Sequence, residues 1–311
     1  EKKMEIISLD KIKKTKNLVL AIGCFDGLHL GHQKIIRVVV SEAKKKGGTS
    51  AVLTFNRHPR SVIEKIEVPF LISPEEKFKL LDEWGIDLAI IANFNQRFAN
   101  LSAKAFCEKI LKKRLAVKEI VVSSDFRFGK DRDGDVQLLK NMGKKCDFSV
   151  RTIRPLKIKN AIVSSSFIRN LIKEAKLKEA AIYLGRDFSL DGVVIPGEKR
   201  GRILGYPTAN LKVNYSLNLP CGVYAIRAKA DERECNGLSN IGLRPTFNAD
   251  SKSPTIEVHL FDFEGDLYDK RVKIIFKQKI RDEIDFSENS SLLLKQIKKD
   301  EKRAKKMLKG E

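Results

Sequence analysis

Short apolar runs alternate with longer amphipathic segments through the first half of the chain. Residues 18–23 are apolar and predict a buried strand, and the apolar residues of 31–46 recur at helical spacing until Gly47 and Gly48 end that helix. Further strands are predicted at 50–55, 87–92 and 119–123, and further helices at about 74–84, 102–115 and 132–144. Such a βαβ succession predicts a parallel sheet with helices on both faces.

The pattern changes at about 175–187, and short β segments follow. They are predicted at roughly 190–196, 222–230, 234–241, 254–263 and 271–280. A closed or nearly closed barrel is the expected arrangement of these strands. Residues 287–309 predict one amphipathic helix, capped by Ser287 or Asn289, with its leucines facing inward.

Length and composition fit a division into two domains. A chain of 311 residues, at a usual domain size of ~150 residues, has room for two hydrophobic cores. The change of pattern puts the boundary near residue 185, which predicts domains of residues 1–184 and 185–311. A composition of 42% hydrophobic and 32% charged residues, without tandem repeats, argues against disordered and solenoid proteins.

The sequence predicts neither a membrane span nor a secretion signal. No apolar stretch approaches the ~20 residues that cross a bilayer, and residues 1–14 lack the apolar core of a signal peptide. The five cysteines are scattered, without CxxC pairs or histidines at metal spacing, which is typical of reduced structural thiols. We therefore expect a cytoplasmic protein with no membrane partner.

The net charge of +21 is a second prominent feature and raises the question of nucleic acid as a partner. Most of the excess is lysine dispersed along helical segments, as at 44–46, 112–113 and 298–306, which is typical of solvated helix faces. No recognition module for DNA or RNA is present in the sequence. The charge alone therefore does not favour nucleic-acid binding as the main function.

The first candidate site is the segment GCFDGLHLGHQKI, residues 23–35, where a predicted parallel strand passes into a helix. Open α/β sheets bind ligands at such a junction. His29 and His32 are three residues apart at the helix start, so both rings can project toward a phosphate bound at the unpaired N–H groups. A histidine pair that only packs or caps the helix is the alternative.

The second candidate site is DGVVIPGEKRGRILGYPTANL, residues 191–211, a basic glycine-containing loop that ends in Pro-Thr-Ala-Asn. Such loops bring backbone donors close to phosphates. Thr208 and Asn210 are oxygen donors two residues apart, so in an extended segment both can reach one Mg²⁺ and its ATP phosphates. A polar turn without a ligand is the alternative.

The first segment, with its GxFDGxHxGH pattern, closely resembles the adenylyltransferase half of the prokaryotic bifunctional riboflavin kinase/FAD synthetases. Similar segments recur in order at 54–59, 98–106, 125–135 and 164–169. The resemblance implies a Rossmann-like nucleotidyltransferase domain in which His29 and His32 are catalytic. It further implies that FMN and ATP are bound by Gly23, Phe25, Asp26, Gly31, Asp125, Arg127, Ser165, Ser166 and Arg169.

The second segment resembles the riboflavin kinase signature of the same family, GxVVxGxxxGRxLGFPTAN, which implies a β-barrel kinase domain with a C-terminal helix. Here the implied nucleotide-binding residues are Gly197, Gly201, Arg202, Pro207, Thr208 and Asn210. A primary hydroxyl is a poor nucleophile at neutral pH, so the kinase half needs a proton acceptor. The stretch EVHLFDFEGDLYD resembles the kinase segment that carries the catalytic base, which corresponds to Glu257; a residue of the strand surface is the alternative.

Five positions depart from the family pattern at Asn56, Arg57, Ser123, Pro196 and Asp269, and a serine also replaces the usual threonine in the stretch of Ser165, Ser166 and Arg169. The expected function is nonetheless flavin synthesis, with ATP and Mg²⁺ used in each half and riboflavin, FMN and FAD as substrates and products. Two alternatives stay open at this point: a nucleotidyltransferase for another phosphorylated small molecule, and a basic RNA-binding protein on this scaffold. A monomer or a weak homo-oligomer is expected.

Overall fold

A computed structural model describes residues 3–197, 205–213, 218–230, 233–243, 254–284 and 290–309. The chain forms two compact units. The first comprises the residues up to Val68 together with Pro74–Ser164, and the second comprises Pro69–Ser73 and the residues from Ser165 onward.

The first unit is built on a six-stranded parallel sheet with the order β1-β4-β3-β2-β5-β6. Its strands are β1 Glu5–Ser8, β2 Val19–Ile22, β3 Ser50–Phe55, β4 Leu88–Ala92, β5 Glu119–Ser123 and β6 Ser149–Ile153. A short hairpin follows, formed by β7 Lys157–Ile158 and β8 Ala161–Ile162. Because β3 lies on one side of β2 and β5 on the other, the strand order reverses at β2, which opens a crevice at the carboxyl ends of β2 and β5.

Helices connect these strands. They are α1 Leu30–Lys45, α2 Pro59–Ile63, α3 Pro74–Glu83, α4 Gln96–Ala99, α5 Ala103–Ala105 with its π-helical continuation Phe106–Arg114, a 3₁₀ turn Lys130–Arg132, and α6 Val136–Cys146. The helix predicted at 102–115 begins where Ser102 caps it, with its hydroxyl accepting from the Ala105 N–H. The parallel α/β architecture predicted from the sequence is therefore confirmed.

The second unit begins with two helices and continues as a closed antiparallel barrel. Its elements are α7 Ser165–Lys173, α8 Leu177–Leu184, β9 Ser189–Ile195, β10 Ala209–Lys212, β11 Gly222–Ala230, β12 Arg233–Leu243, β13 Pro254–Leu260, β14 Arg271–Arg281 and α9 Ser290–Leu308. The barrel closes in the order β10-β13-β12-β11-β14-β9, with β9 also paired to β10. The predicted barrel and C-terminal helix are confirmed.

Alternation along β13 separates the barrel interior from its outer surface. Ile256 and Val258 are 2% exposed and belong to the core, whereas Glu257 and His259 between them are half-buried. Directly paired residues of antiparallel strands lie on the same face of a sheet. Residues that pair with Glu257 therefore share its outer face.

The helix α9 packs on the outside of the barrel, and the prediction that its leucines face inward is confirmed for Leu308. Ala304 and Leu308 join the cluster formed by barrel residues such as Val223, and Asp300 on the same side of the helix is 3% exposed. Leu292 is 50% exposed, so the prediction that the leucines face inward is wrong for this residue. The predicted caps, Ser287 and Asn289, lie outside the described residues.

Among the described residues, no helix combines the length and the apolar character that a membrane span requires. All five cysteines belong to the described part of the chain, and none of them forms a disulfide.

Candidate active sites

The loop between β2 and α1 has a tightly folded backbone. Phe25 has φ 50°, Gly27 has φ 78° and Leu28 has φ 40°. Left-handed backbone of this kind is strained for residues with a side chain and concentrates at functional sites. Phe25 and Leu28 are nevertheless buried, at 2% and 0% exposed, so their packing stabilises the strained turn that carries His29 to the helix start.

His29 and His32 form a stacked pair at the N-terminus of α1. Their ring centroids are 3.6 Å apart and their planes differ by 17°. His29 caps the helix, because its Nδ1 accepts a hydrogen bond from the His32 N–H at 3.3 Å. An accepting Nδ1 leaves the proton of a neutral ring on Nε2, which makes Nε2 a donor. The pair thus combines imidazole donors with the positive end of a helix, an arrangement suited to phosphate.

The residues around the pair fix its orientation. The edge of the Phe25 ring lies against His32, with 5.2 Å between the centroids. A Cβ atom at Gly31 would lie 3.1 Å from the His29 ring, so only glycine leaves this ring its full space. At Gly23 a Cβ would lie 3.5 Å from the Phe25 ring, an ordinary contact.

A buried lysine behind the loop was missed by the sequence reasoning. Lys77 on α3 is 7% exposed, and its Nζ donates to the Thr54 hydroxyl at 3.3 Å. Thr54 in turn donates to the Cys24 carbonyl at 3.1 Å. Burial lowers the pKa of Lys77, while the charge of Asp26, which is 2% exposed, opposes that shift. Lys77 lies on the buried face of α3, four residues before Leu81. Its residue type gave no signal, since lysine is abundant throughout the chain.

Asp125 and Arg127 follow β5, the neighbour of β2, and both are exposed. The Ser123 hydroxyl donates to the Asp125 carboxylate, and Arg127 lies 3.9 Å from the Asp135 carboxylate. The Phe128 ring between these polar residues belongs to the core of the unit, and Phe126 stacks on it. The exposed charges therefore lie at the carboxyl edge of the sheet, on which the histidine loop also lies.

Ser165, Ser166 and Arg169 lie on α7, which belongs to the second compact unit. Arg169 is half-buried, with its Nε donating to the Pro69 carbonyl at 3.0 Å. That these residues act together with His29 stays a prediction.

The kinase residues lie on adjacent strands of the barrel. Asn210 on β10 pairs directly with Glu257 on β13, so the amide and the carboxylate share the outer face. Asn240 on β12 pairs with Glu257 from the other side, a neighbour that the sequence reasoning missed. A Cβ at Gly197 would lie 1.9 Å from the Asn210 Nδ2, so the glycine admits this side chain. Gly201 and Arg202 lie outside the described residues.

A cavity of about 480 Å³ is lined by Ala209 on β10 and Val258 on β13, the sequence neighbours of Asn210 and Glu257. Its walls include Pro207 and Thr208 on one side and, on the other, Phe263, Leu267 and Tyr268 from the connection between β13 and β14. His259 fixes the first wall, because its Nδ1 lies 2.9 Å from the Pro207 carbonyl oxygen. The cavity is lined by apolar side chains and, to a similar extent, by polar groups, which include Thr208 and Asp266.

A histidine pair lies at the switch point of a parallel sheet. In the barrel, Asn210 and Glu257 pair across two strands that also line a cavity with Thr208. These two features are typical of a two-site enzyme of phosphate chemistry. The FAD synthetase family model matches residues 11–167, and the riboflavin kinase family model matches residues 184–308. The chain therefore belongs to the bifunctional riboflavin kinase/FMN adenylyltransferase family, with the synthetase region first.

Relatives of that name cover nearly the whole chain. The protein from Buchnera aphidicola (subspecies Acyrthosiphon pisum) is 40% identical, over 93% of this chain and 94% of its own. The Bacillus subtilis protein is 37% identical over 92% and 91%, and that of Escherichia coli K12 is 33% identical over 91% and 90%. The fold is similar to a crystal structure titled macrolide-efflux protein from Streptococcus pneumoniae, with a TM-score of 0.85, 30% identity, and coverage of 96% and 98%.

Proposed function

We propose that this chain converts riboflavin and ATP to FMN and ADP in its barrel, and FMN and ATP to FAD and pyrophosphate in its parallel α/β unit. The two activities are assigned to residues 185–311 and 1–184. The observation that carries this proposal is the cross-strand pair of Asn210 and Glu257, on two strands that also line the cavity of Thr208. Such a pair provides a phosphate-binding edge and a proton acceptor at one place.

In the barrel, Glu257 accepts the proton of the riboflavin hydroxyl as that oxygen attacks the γ-phosphorus of ATP. Thr208 and Asn210 face the phosphates from the neighbouring strand, and Gly197, Gly201, Arg202 and Pro207 form the loop around them. The leaving group is ADP. The wall formed by Phe263 and Tyr268 excludes water from the transferring phosphoryl group, which would otherwise hydrolyse ATP.

Mg²⁺ fits this site because the hydroxyl of Thr208, the amide oxygen of Asn210 and the carboxylate of Glu257 are hard oxygen donors. Within the described ranges, no group of three or more His, Cys, Asp and Glu side chains is arranged to hold a metal ion. Thr208 and Asn210 would therefore be the only protein ligands we assign to the magnesium ion, and ATP phosphates and water would provide the others. When bound, it neutralises charge on the transferring phosphoryl group.

In the first unit, an oxygen of the FMN phosphate attacks the α-phosphorus of ATP, and pyrophosphate leaves. An ionised phosphate needs no general base, so His29 and His32 act by donating to phosphate oxygens whose charge grows in the transition state. Gly23, Phe25, Asp26 and Gly31 shape the loop that presents them. Asp125, Arg127, Ser165, Ser166 and Arg169 are assigned to binding of the two substrates.

The test is incubation with riboflavin, ATP and Mg²⁺, followed by chromatographic separation of riboflavin, FMN and FAD. We expect the double variant His29→Ala/His32→Ala to accumulate FMN, and Glu257→Gln to make FAD only from supplied FMN. Glu234→Gln is the matched control, since this carboxylate on β12 lies beside Arg227 and Lys229 and not at the cavity. Unchanged FAD formation in the histidine variant, or unchanged phosphorylation in Glu257→Gln, would contradict the respective site.

A cytoplasmic location is part of the proposal. Its support is that none of the five cysteines forms a disulfide, as is typical of a reducing compartment. The oligomeric state, a monomer or a weak homo-oligomer, stays a prediction to be measured by sedimentation.

A further inference from the structure

The polar groups behind the histidine loop form one connected set. Lys77 donates from α3 to the hydroxyl of Thr54 on β3, and Thr54 donates to the carbonyl of Cys24 in the loop. This chain of two hydrogen bonds joins a helix, a strand and the loop residue directly before Phe25. The backbone is therefore fixed where its left-handed course begins.

Burial of these polar and charged groups lowers the stability of the fold unless they form hydrogen bonds or ion pairs with one another. Thr54 is 0%, Asp26 2% and Lys77 7% exposed. An ammonium group and a carboxylate lose most of their hydration at such sites, and apolar side chains of the same size often give equal or greater stability. The charge of Asp26 favours the protonated form of Lys77, so the two groups interact across this space. A contribution to stability therefore does not by itself explain why Lys77 and Asp26 occupy these buried positions.

We propose that Lys77 is a positioning residue for adenylyl transfer, which acts through Thr54 and Asp26 to hold the turn that presents His29 and His32. Asp26 is three residues before His29, and Cys24 is two residues before Asp26. A lysine that restrains both ends of this short segment fixes the direction in which the chain enters α1. The stacked geometry of the two rings, 3.6 Å between their centroids, depends on that direction.

The inference rests on the proposed role of the two histidines, and it concerns only the first unit. Lys77 is expected to act without touching the substrates, because its ammonium is buried and donates to Thr54. Its loss is therefore expected to lower kcat for FAD formation by about 10- to 100-fold, because catalytic groups displaced by a fraction of an ångström lose transition-state contacts. The KM values for ATP and FMN are expected to change little.

The experiment uses the full chain with the substitution Lys77→Met, which keeps the length and the apolar part of the side chain. Lys79→Met is the matched control, because Lys79 lies on the same helix with 66% of its side chain exposed. Riboflavin phosphorylation, measured in the same samples, reports whether the barrel is intact, and the ring signal of His58 in ¹⁵N-histidine NMR spectra reports whether the first unit is folded. The expected result is loss of FAD formation in Lys77→Met only, with partial recovery in Lys77→Arg.

A spectroscopic measurement separates positioning from general destabilisation. The chain has four histidines, and His58 and His259 serve as internal references for the ring signals of His29 and His32 in ¹⁵N-histidine NMR spectra. Lys77→Met is expected to shift the His29 and His32 signals and to leave the other two in place. Thr54→Val removes the hydroxyl that links Lys77 to Cys24 but keeps both Lys77 and Asp26. It is expected to shift the His29 and His32 signals by a smaller amount.

Unmoved His29 and His32 signals in Lys77→Met, or a native rate of FAD formation, would overturn the proposal. If Lys77→Met does not fold, the same measurements are made on Thr54→Val and Lys77→Arg. Unshifted His29 and His32 signals together with a native rate of FAD formation in Thr54→Val would then contradict the proposal. Should His29→Ala/His32→Ala retain FAD synthesis while Lys77→Met still shifts both rings, the proposed catalytic site fails and the positioning stands.

Discussion

Gly31 lies where the ring of His29 leaves little room for a side chain. A methyl group there would approach the ring to 3.1 Å, so Gly31→Ala must displace the imidazole or the first turn of α1. We expect FAD formation to fall about tenfold or more, since displaced catalytic groups lose much of their effect. Riboflavin phosphorylation in the same chain is the control. A native rate of FAD formation would show that the ring does not need this space.

The departures from the family pattern also find physical roles at this scale. Asp269, at a position that is usually glycine, has φ 61°, a left-handed conformation that aspartate tolerates better than most residues. Asn56 accepts from the Phe94 N–H at 2.9 Å and donates to the Asn93 side chain, which joins the ends of β3 and β4. The Ser123 hydroxyl donates to Asp125. Pro196 directly follows the last residue of β9.

Among the elements, α9 is joined to the barrel by an ion pair. The Arg281 Nε donates to the Asp300 carboxylate at 2.8 Å, and Gln296 donates to its other oxygen at 2.7 Å. Asp300→Ala removes this carboxylate from Arg281, whose side chain is largely buried. We therefore expect the free energy of unfolding to fall by about 3 kcal/mol. Urea denaturation measures it.

The neighbouring Lys299→Ala is the control for that prediction. Lys299 is exposed, and substitutions of this kind change stability by less than about 0.5 kcal/mol. If both variants lost equal stability, α9 would be held by its apolar face alone, through Ala304 and Leu308.

At the scale of the whole molecule, Lys77 gives stability a specific pH dependence. Burial lowers its pKa in the folded state, against the opposing charges of Asp26 and Cys24, whereas the unfolded chain keeps the ordinary value of 10.5. Between the lowered pKa and 10.5 the unfolded chain binds more protons, so stability rises with pH across this window. Below the folded pKa the contribution is constant.

The measurement compares urea midpoints of the native chain and Lys77→Met from pH 7 to pH 11. The difference, native minus variant, is expected to increase toward alkaline pH, because each unit of pKa shift corresponds to about 1.4 kcal/mol. A flat difference would mean that Lys77 has its ordinary pKa in the folded state.

The lysine excess has a partial structural account. At the amino ends of the parallel strands, Lys46 pairs with Glu119 at 3.0 Å and Lys118 pairs with Asp147. Arg151 bridges Glu42 and Glu119, which are both buried. Part of the positive charge thus neutralises carboxylates of the first unit.

Local patterns in the sequence predicted the central strands, the longer helices of the first unit, the C-terminal helix and the order of the two folds, because periodicities of two and 3.6 residues are local properties. The sequence also determined the motifs, since His29, His32, Thr208 and Asn210 lie within short segments. The edge strands β1 and β6 and the short strand β10 were missed, because their pairing depends on neighbours far along the chain.

Only the tertiary structure decided which distant residues meet. Lys77 lies 23 positions from Thr54 and more from Asp26, and no local pattern distinguishes it from the other lysines. The pairing of Asn240 and Asn210 with Glu257 is a matter of strand register, which the sequence leaves open. The physical reason is that burial and strand register are set by the packing of the whole unit. A sequence pattern indicates only which face of a helix or strand a residue occupies, and not which residues of other elements it contacts.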